Sequence, residues 1–555
     1  MKTQESNSSN SSNWLGTNSH HLFNNTISKR SNVMKNAIAI LIFVLVSSLA
    51  FGQGTFKNNG TLVNTSTLNT GTFQNYRTAA GKVYNSSTIH TTGDYVNSNG
   101  TLNGMTFNQD LTNTTGGTIN VDGSFTNSTG TTYNSKAASL IRIGNALTNT
   151  TAANFSTDTG AVDYKAAAIQ TVSATVKNNT YGALTLTGGG SFAKTLAASV
   201  AVEGLVTIAA STEFAVGASN TLTLNAATPF SNSGTFTADA ASATVVYNNS
   251  GSQDVTGANY YNLTIANGGT KTVNTGAATV SIAAGGTLTN GTGIFDLAAN
   301  ALTTTGTSNI TNGGTIQTGG TVTFGAAHTI AGTFIYNRAT TTQTLGAASY
   351  TNLTLANGTG ATGQKNFPAG TVTVTGTYTT GGADRSYGSG TFAYAGTSAQ
   401  NVLGGAAESY NNVTISGSAD TSTHKTLTVG NLTVANNLSI SANNTLDFGS
   451  FTTAGALAGT VDNSGKTMWA SSNTYIGGTG ATELYGVGAS SLVNGAYGSL
   501  LFTGPGTMTL AGATTTASYT LVSSNLTVSG TGVLTVTGNF DNDGVVTNQG
   551  TITVQ

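Results

Sequence analysis

After Gln53, apolar residues alternate with Thr, Asn and Ser rather than recurring every three or four positions. Thr221-Leu222-Thr223-Leu224, Thr371-Val372-Thr373-Val374-Thr375 and Leu534-Thr535-Val536-Thr537 are the plainest runs. A period of two puts alternate side chains on opposite faces of a strand. These runs therefore predict strands with an aliphatic inner face and a threonine outer face. Threonine suits the outer face because it is β-branched, and polar without charge. No 3.6-residue stripe of helical length is visible after Gln53. Across 54–160 the strands are short and follow one phrase, Gly-Thr-apolar-x-Asn. Examples are Gly54-Thr55-Phe56-Lys57-Asn58, Gly60-Thr61-Leu62-Val63-Asn64 and Gly71-Thr72-Phe73-Gln74-Asn75. One such strand buries too little to be stable alone, but a stack of coils buries a continuous core.

From about 161 the repeated text lengthens. Tyr350-Thr351-Asn352-Leu353-Thr354-Leu355 is its clearest copy, and Tyr410-Asn411-Asn412-Val413-Thr414-Ile415 keeps the spacing. Tyr261-Asn262-Leu263-Thr264-Ile265 matches with one residue fewer between Tyr and Asn. Tyr181-Gly182-Ala183-Leu184-Thr185-Leu186 and Tyr497-Gly498-Ser499-Leu500-Leu501-Phe502 are looser copies. A Tyr and then a Gln precede the first four copies along the chain: Tyr164/Gln170, Tyr247/Gln253, Tyr336/Gln343 and Tyr394/Gln400. A Lys follows each of these: Lys194, Lys271, Lys365 and Lys425. Successive copies lie 79 (Leu184 to Leu263), 90 (to Leu353), 60 (to Val413) and 87 residues (to Leu500) apart. A solenoid coil takes roughly 20–30 residues, so each copy spans several coils. The chain is an array, continued from short repeats over 53–160 into long repeats over 161–555.

Composition narrows the function classes. Charged residues are 7% of the chain, the net charge is −1, and there is no cysteine. The balance offers no basic field for nucleic acid, and there are neither disulfides nor thiolate metal sites. With 72 Gly and 3 Pro, turns rest on Gly and Asn. Residues 1–33 are polar and read as a disordered or mis-annotated extension ahead of Met34. Residues 34–52 read as a signal peptide. Lys29, Arg30 and Lys35 supply charge, Ala37 to Ala50 is apolar but for Ser47 and Ser48, and Ala50-Phe51-Gly52 offers small residues for cleavage near Gly52. The alternative is a single anchoring helix, for which the run is short. No transmembrane span is expected in the mature chain. The C-terminus stops inside a predicted strand, so its cap is either poor or in a continuation.

The Gly-Thr-apolar-x-Asn phrases and the Tyr-x-Asn-Leu-Thr-Leu copies resemble the β-strand-repeat surface proteins of Gram-negative bacteria, which are similar to filamentous-haemagglutinin-like adhesins and autotransporter passengers. The likeness covers nearly all of 54–555. It implies an all-β fold, a right-handed parallel β-helix (β-solenoid) built from irregular Gly/Thr/Asn-rich repeats, displayed at the outer cell surface or secreted. It also implies a structural or adhesive role, with glycans or host and neighbour-cell surface molecules as partners. No catalytic residue carries over, and no translocator barrel or anchor is recognisable.

Candidate chemistry is sparse, and no catalytic, cofactor or metal residue is assigned. Two other classes stay open: a carbohydrate-active β-helix enzyme (polysaccharide lyase or glycoside hydrolase), and an ice-binding or crystal-face-binding solenoid suggested by the Thr-x-Thr runs. Acids such as Asp94, Asp110, Asp122, Asp158, Asp163, Glu203 and Glu213 are scattered singly, whereas hydrolysis of a glycan needs a convergent pair. Asn539-Phe540-Asp541-Asn542-Asp543-Gly544 begins like a calcium loop, but its twelfth position is Gly550. His90, His328 and His424 lack ligand spacing and read as surface or loop residues. Asp384-Arg385 reads as a local ion pair, and Trp469 as a core or capping ring rather than a sugar platform. Tyr261, Asn262, Tyr350, Asn352, Tyr410 and Asn412 are the candidate ligand-face or coil-corner residues. Either they present rows to glycans, or the tyrosines pack at corners while stacked asparagines form ladders.

Overall fold

The structure is a computed structural model. It describes residues 55–555 except 59–60, 65, 76–81, 86–87, 92–94, 98–100, 103–104, 107–109, 114–115, 128–131, 137, 153–154, 190–191, 275–277, 358–362, 421, 452–460, 465, 470–478, 486–488, 493–494 and 523. The extension over 1–33, the signal peptide over 34–52 and its cleavage point lie outside the described residues. The chain is all-β, 56% strand and 1% helix, and its parallel sheets form a β-solenoid of about 19 turns. Among the described residues two antiparallel exceptions occur: Thr101–Leu102 pairs with Met105–Thr106, and Ala356 bridges Gly382. Among the described residues, no helix is long and apolar enough to cross a membrane.

The chain divides into two compact units. The first comprises 1–214 and 232–235, and the second 215–231 and 236–555. The change from short to long repeats at 160 falls within the first unit.

In the first unit the Gly-Thr-apolar-x-Asn phrase becomes one strand of a coil. Leu140 pairs with Thr118 and Ala161, and Ala161 pairs with Ala183, so successive coils advance by 22, 21 and 22 residues. The apolar position of each phrase stacks on its like: Phe56 on Phe73, Phe73 on Tyr95, Tyr95 on Phe125 and Phe125 on Leu147. The rings form a ladder with centroids 5.2, 4.7 and 5.0 Å apart. A second column, Leu68, Ile89, Ile119, Ile141, Val162, Leu184 and Val206, lines another face of the core. The terminal asparagines stack too. Asn127 and Asn149 are buried, and the Asn127 amide donates to Asn149 Oδ1 at 2.9 Å. Stacking lets each amide satisfy the next, as burial of a polar group requires.

The second unit keeps this logic with longer strands. Thr221–Leu224 and Thr371–Val374 bury Leu or Val and turn Thr outward. Outward threonines align in short ranks, such as Thr264 on Thr289 on Thr311. Thr279–Asn290 is long enough to serve two faces, pairing with Ala301–Thr304 through one half and with Asn309–Asn312 through the other. Gly285, with φ +77°, lies between the two halves, a backbone conformation that β-branched residues avoid. Asn290 and Asn312 repeat the buried asparagine contact at 2.8 Å.

Candidate functional site

The recurrent Tyr, Gln, Tyr and Lys form the most regular polar construction in the chain, and it lies in the core. Consider the copy built on Thr329–Tyr336 and Ser349–Ala356. The two strands bring Tyr336 and Tyr350 together in the interior, both fully buried, with their hydroxyls 2.8 Å apart. Between them in sequence the backbone turns at Gly346, whose amide donates to Tyr336 Oη at 2.9 Å. The Tyr350 hydroxyl donates to the carbonyl of the same Gly346 at 2.7 Å. Tyr350 has one proton and uses it there, so Tyr336 must donate to Tyr350. The result is a closed ring: amide to Tyr336, Tyr336 to Tyr350, Tyr350 to carbonyl. Gly346, whose backbone N–H and C=O both meet the core, thereby keeps both of its hydrogen bonds.

The same ring recurs three more times. Tyr164 and Tyr181 meet at 2.8 Å and clamp Ser173, whose amide donates to Tyr164 Oη and whose carbonyl accepts from Tyr181. Tyr247 and Tyr260 meet at 3.1 Å and clamp Thr256. Tyr394 and Tyr410 meet at 2.7 Å and clamp Leu403. Burial pushes the pKa of all eight phenols up, that of Tyr164 to about 12.

Gln and Lys hold the preceding turn. Gln170, Gln253, Gln343 and Gln400 are buried, and each accepts from a backbone amide four or five residues upstream. Each side-chain amide donates to two carbonyls of the preceding coil, as Gln343 does to Thr318 at 2.7 Å and Gly320 at 2.9 Å. One coil later, Lys194, Lys271, Lys365 and Lys425 stand directly over these glutamines. Their ammonium groups donate to turn carbonyls, including those of Ala166, Gly251, Arg338 and Gly396. Burial pushes all four lysine pKa values down; for Lys365, Arg338 adds to the effect and the value falls to about 8.

Tyr350 and Tyr410 are thus 0% exposed and present no ring face to solvent. Tyr261 is half-buried, and the tyrosine equivalent to Tyr350 is its neighbour Tyr260. Tyr260 restores the full Tyr-x-Asn spacing that reading from Tyr261 loses. Asn262, Asn352 and Asn412 are half-buried and link neighbouring coils. Asn262 accepts from the Thr287 amide at 3.1 Å and Asn352 from the Thr377 amide at 3.0 Å. Asn412 donates to the Gly390 carbonyl at 3.1 Å and accepts from Asn436 at 2.9 Å.

Several other residues depart from expectation. His328 lies in a loop but is 5% exposed, with Nε2 2.8 Å from Thr304 Oγ1. Arg385, expected to pair with Asp384, reaches Glu408 at 2.5 Å in a buried ion pair. Glu408 also accepts from Tyr387, whose hydroxyl lies 3.0 Å from Tyr378. Tyr378 and Tyr387 form a fifth tyrosine pair, closed by a charge instead of a peptide. Burial raises the Glu408 pKa, against the opposing pull of Tyr387 and Arg385. Trp469, by contrast, is the core ring expected of it: it is fully buried and stacked on Phe448 at 3.8 Å and 5°.

Charged residues that are solitary in sequence meet across coils of the first unit. His90, Asn120, Arg142 and Asp163 occupy successive rungs. Asp122 lies 3.0 Å from His90 Nε2 and 2.5 Å from Lys165 Nζ, and Arg142 pairs with Asp163 at 2.9 Å. Burial would raise the Asp122 pKa, but hydrogen bonds from Lys165 and His90 outweigh it and hold the value low. Lys165 reaches Asp122 across Gly144, where a Cβ would stand 2.1 Å from the Asp122 carbonyl oxygen. Each carboxylate pairs with a cation from another coil, an arrangement that stitches rungs together. No group of three or more His, Asp or Glu able to hold a metal occurs among the described residues. In the turn near the C-terminus, Asn542 Oδ1 accepts from the Gly544 amide at 3.2 Å.

No protein-family model, curated protein or solved structure matches this chain.

Proposed function

We propose that this chain is an exported, non-catalytic β-solenoid with a structural and adhesive role at the outer cell surface or in the surrounding medium. In this reading it is a bacterial surface protein of the filamentous-haemagglutinin-like kind, its leader removed near Gly52. The observation that carries the reading is the direction of the repeated polar residues. The recurring Tyr, Gln and Lys side chains are spent inward, on backbone groups of the turns. Repetition in this chain therefore serves mechanical continuity. The outward face is left to threonine and asparagine, which hydrate without charge and can make weak contacts repeated along the stack. Glycans and molecules on host or neighbouring cells are the partners this surface suits.

Two experiments test the proposal. A glycan and host-matrix array, with the same fractions assayed for polysaccharide cleavage, separates the roles: saturable binding without turnover supports an adhesin, and cleavage of any glycan sinks the non-catalytic reading. Fusing 34–52 to a periplasmic reporter in a Gram-negative host tests export. N-terminal sequencing that finds an intact leader on a cytoplasmic product counts against it.

A further inference from the structure

A groove of about 450 Å³ opens on the second unit, lined among others by Phe324, His328, Thr329, Ser349, Thr371 and Thr373. Its size falls within the range of small-ligand sites. Thr329, Ser349 and Thr373 occupy successive rungs of one sheet. Their hydroxyls therefore repeat at the strand spacing of about 4.8 Å. Phe324 ends the strand Val322–Phe324 and is half-buried. Its ring lies so close over Gly346 that a Cβ there would be 2.4 Å from Phe324 Cε2. Gly346 is the residue clamped by Tyr336 and Tyr350, so the ring rests on that clamped turn. His328 supports it from the side, 4.9 Å away and tilted by 59°. Ala327 and Ala347 also line the groove, and their short side chains leave the space open.

The chemistry of this lining selects a ligand class. No lining side chain carries a fixed charge. His328 is engaged with Thr304, and burial lowers its pKa, which favours the neutral imidazole. The Ser349 amide is bonded to the His328 carbonyl and the Thr373 amide to the Ala348 carbonyl. Those amides are therefore closed to an added strand, and the recognition groups are one aromatic ring and a rank of hydroxyls. A pyranose matches both: its C–H face packs on a ring, and its hydroxyls exchange hydrogen bonds with serine and threonine. An anion would find no cation here.

We propose that this groove binds a neutral saccharide, with Phe324 as the platform and Thr329, Ser349 and Thr373 as hydrogen-bond partners. The proposal rests on the adhesive reading and supplies it with a site. The test is a histidine-selective NMR titration of the full chain with cellobiose, maltose and di-N-acetylchitobiose, with glucuronate as the anionic control. At least one neutral disaccharide is expected to move the His328 resonances in a saturable way while those of His90 and His424 stay fixed. Phe324→Ala should abolish the response and Phe324→Tyr should retain it. The proposal is overturned if no neutral disaccharide moves His328, if glucuronate moves it equally, or if the response survives in Phe324→Ala. A glycan-array signal unchanged by Phe324→Ala would also overturn the groove while leaving the adhesive reading intact; loss of that signal supports both.

Discussion

Tyr336→Phe removes one oxygen from the core and opens the ring at two of its three bonds. The Gly346 amide loses its acceptor at 2.9 Å, and Tyr350 loses the donor at 2.8 Å. Tyr350 still donates to the Gly346 carbonyl, so the unsatisfied group is the amide. Leaving a buried amide without a partner costs about 1–3 kcal/mol, equivalent to about a 5- to 150-fold change in an opening equilibrium. The variant keeps the aromatic ring, so no cavity term adds to this. A stacked array need not unfold in one step, so the effect should be read locally. Hydrogen-exchange mass spectrometry of peptides spanning 337–350 should show faster exchange by that factor, with peptides several coils away unchanged. Tyr350→Phe should accelerate the same peptides, and the double variant should cost less than the sum, because both hydroxyls serve one peptide. Tyr261→Phe is the control: Tyr261 is half-buried, and its hydroxyl would stand 3.0 Å from a Cβ built on Gly285. It should change exchange only slightly. Equal, small effects of Tyr336→Phe and Tyr261→Phe would refute the ring as a stabilising device.

Stability should pass through a maximum on the alkaline side. Lys365 titrates near 8 when folded against 10.5 ordinarily, so the unfolded chain binds more protons between those values and this group's contribution rises with pH. Above about 10 the buried phenols reverse the slope, because the unfolded tyrosines ionise while Tyr164, pushed up to about 12, does not. Urea midpoints measured from pH 7 to 12 check both limbs, and Lys365→Met should flatten the first. Glu408→Gln or Arg385→Met should each destabilise by about 3–5 kcal/mol, whereas replacing both with apolar residues should be far milder; chemical denaturation of the three variants decides this. Trp469→Ala should cost about 3–5 kcal/mol through the cavity left over Phe448, read as a lowered thermal midpoint.

The fold was legible in the sequence because a solenoid repeats its local rule. Alternation in Thr371–Val374 places Val inside and Thr outside whatever the neighbouring coil contains, and a coil of about 22 residues results from stacking like on like. Coil-to-coil contacts were harder to read. Arg385 and Glu408 are 23 positions apart in the chain, close to one coil, so their pairing becomes adjacent only once the register is known. The column of His90, Asn120, Arg142 and Asp163 was hidden for the same reason.

The tyrosines show a subtler limit. Their recurrence was visible, but recurrence alone is equally consistent with a row facing solvent and a row facing the core. Parity along the strand separates the two. Tyr350 lies three residues before Leu353 and yet is buried with it, an odd spacing that simple alternation would put on opposite faces. The offset is absorbed where the long strands bend from one face to the next: the pairing of Thr329–Tyr336 with Ser349–Ala356 shifts register between Ile330 and Thr333. Asn259–Ile265 shifts likewise between Tyr260 and Asn262. Tyr260 therefore falls inside with Leu263, while Tyr261, which carries the same letter, falls outside the ring. A bend that keeps both Tyr and Leu in the core brings two phenols inward on one coil. The turn between them then has partners for its amide and its carbonyl. The recurrence of Tyr is thus a consequence of bending a strand around a corner without leaving its peptide unbonded, and the first place to look for binding is where the outward hydroxyls and the half-buried Phe324 meet.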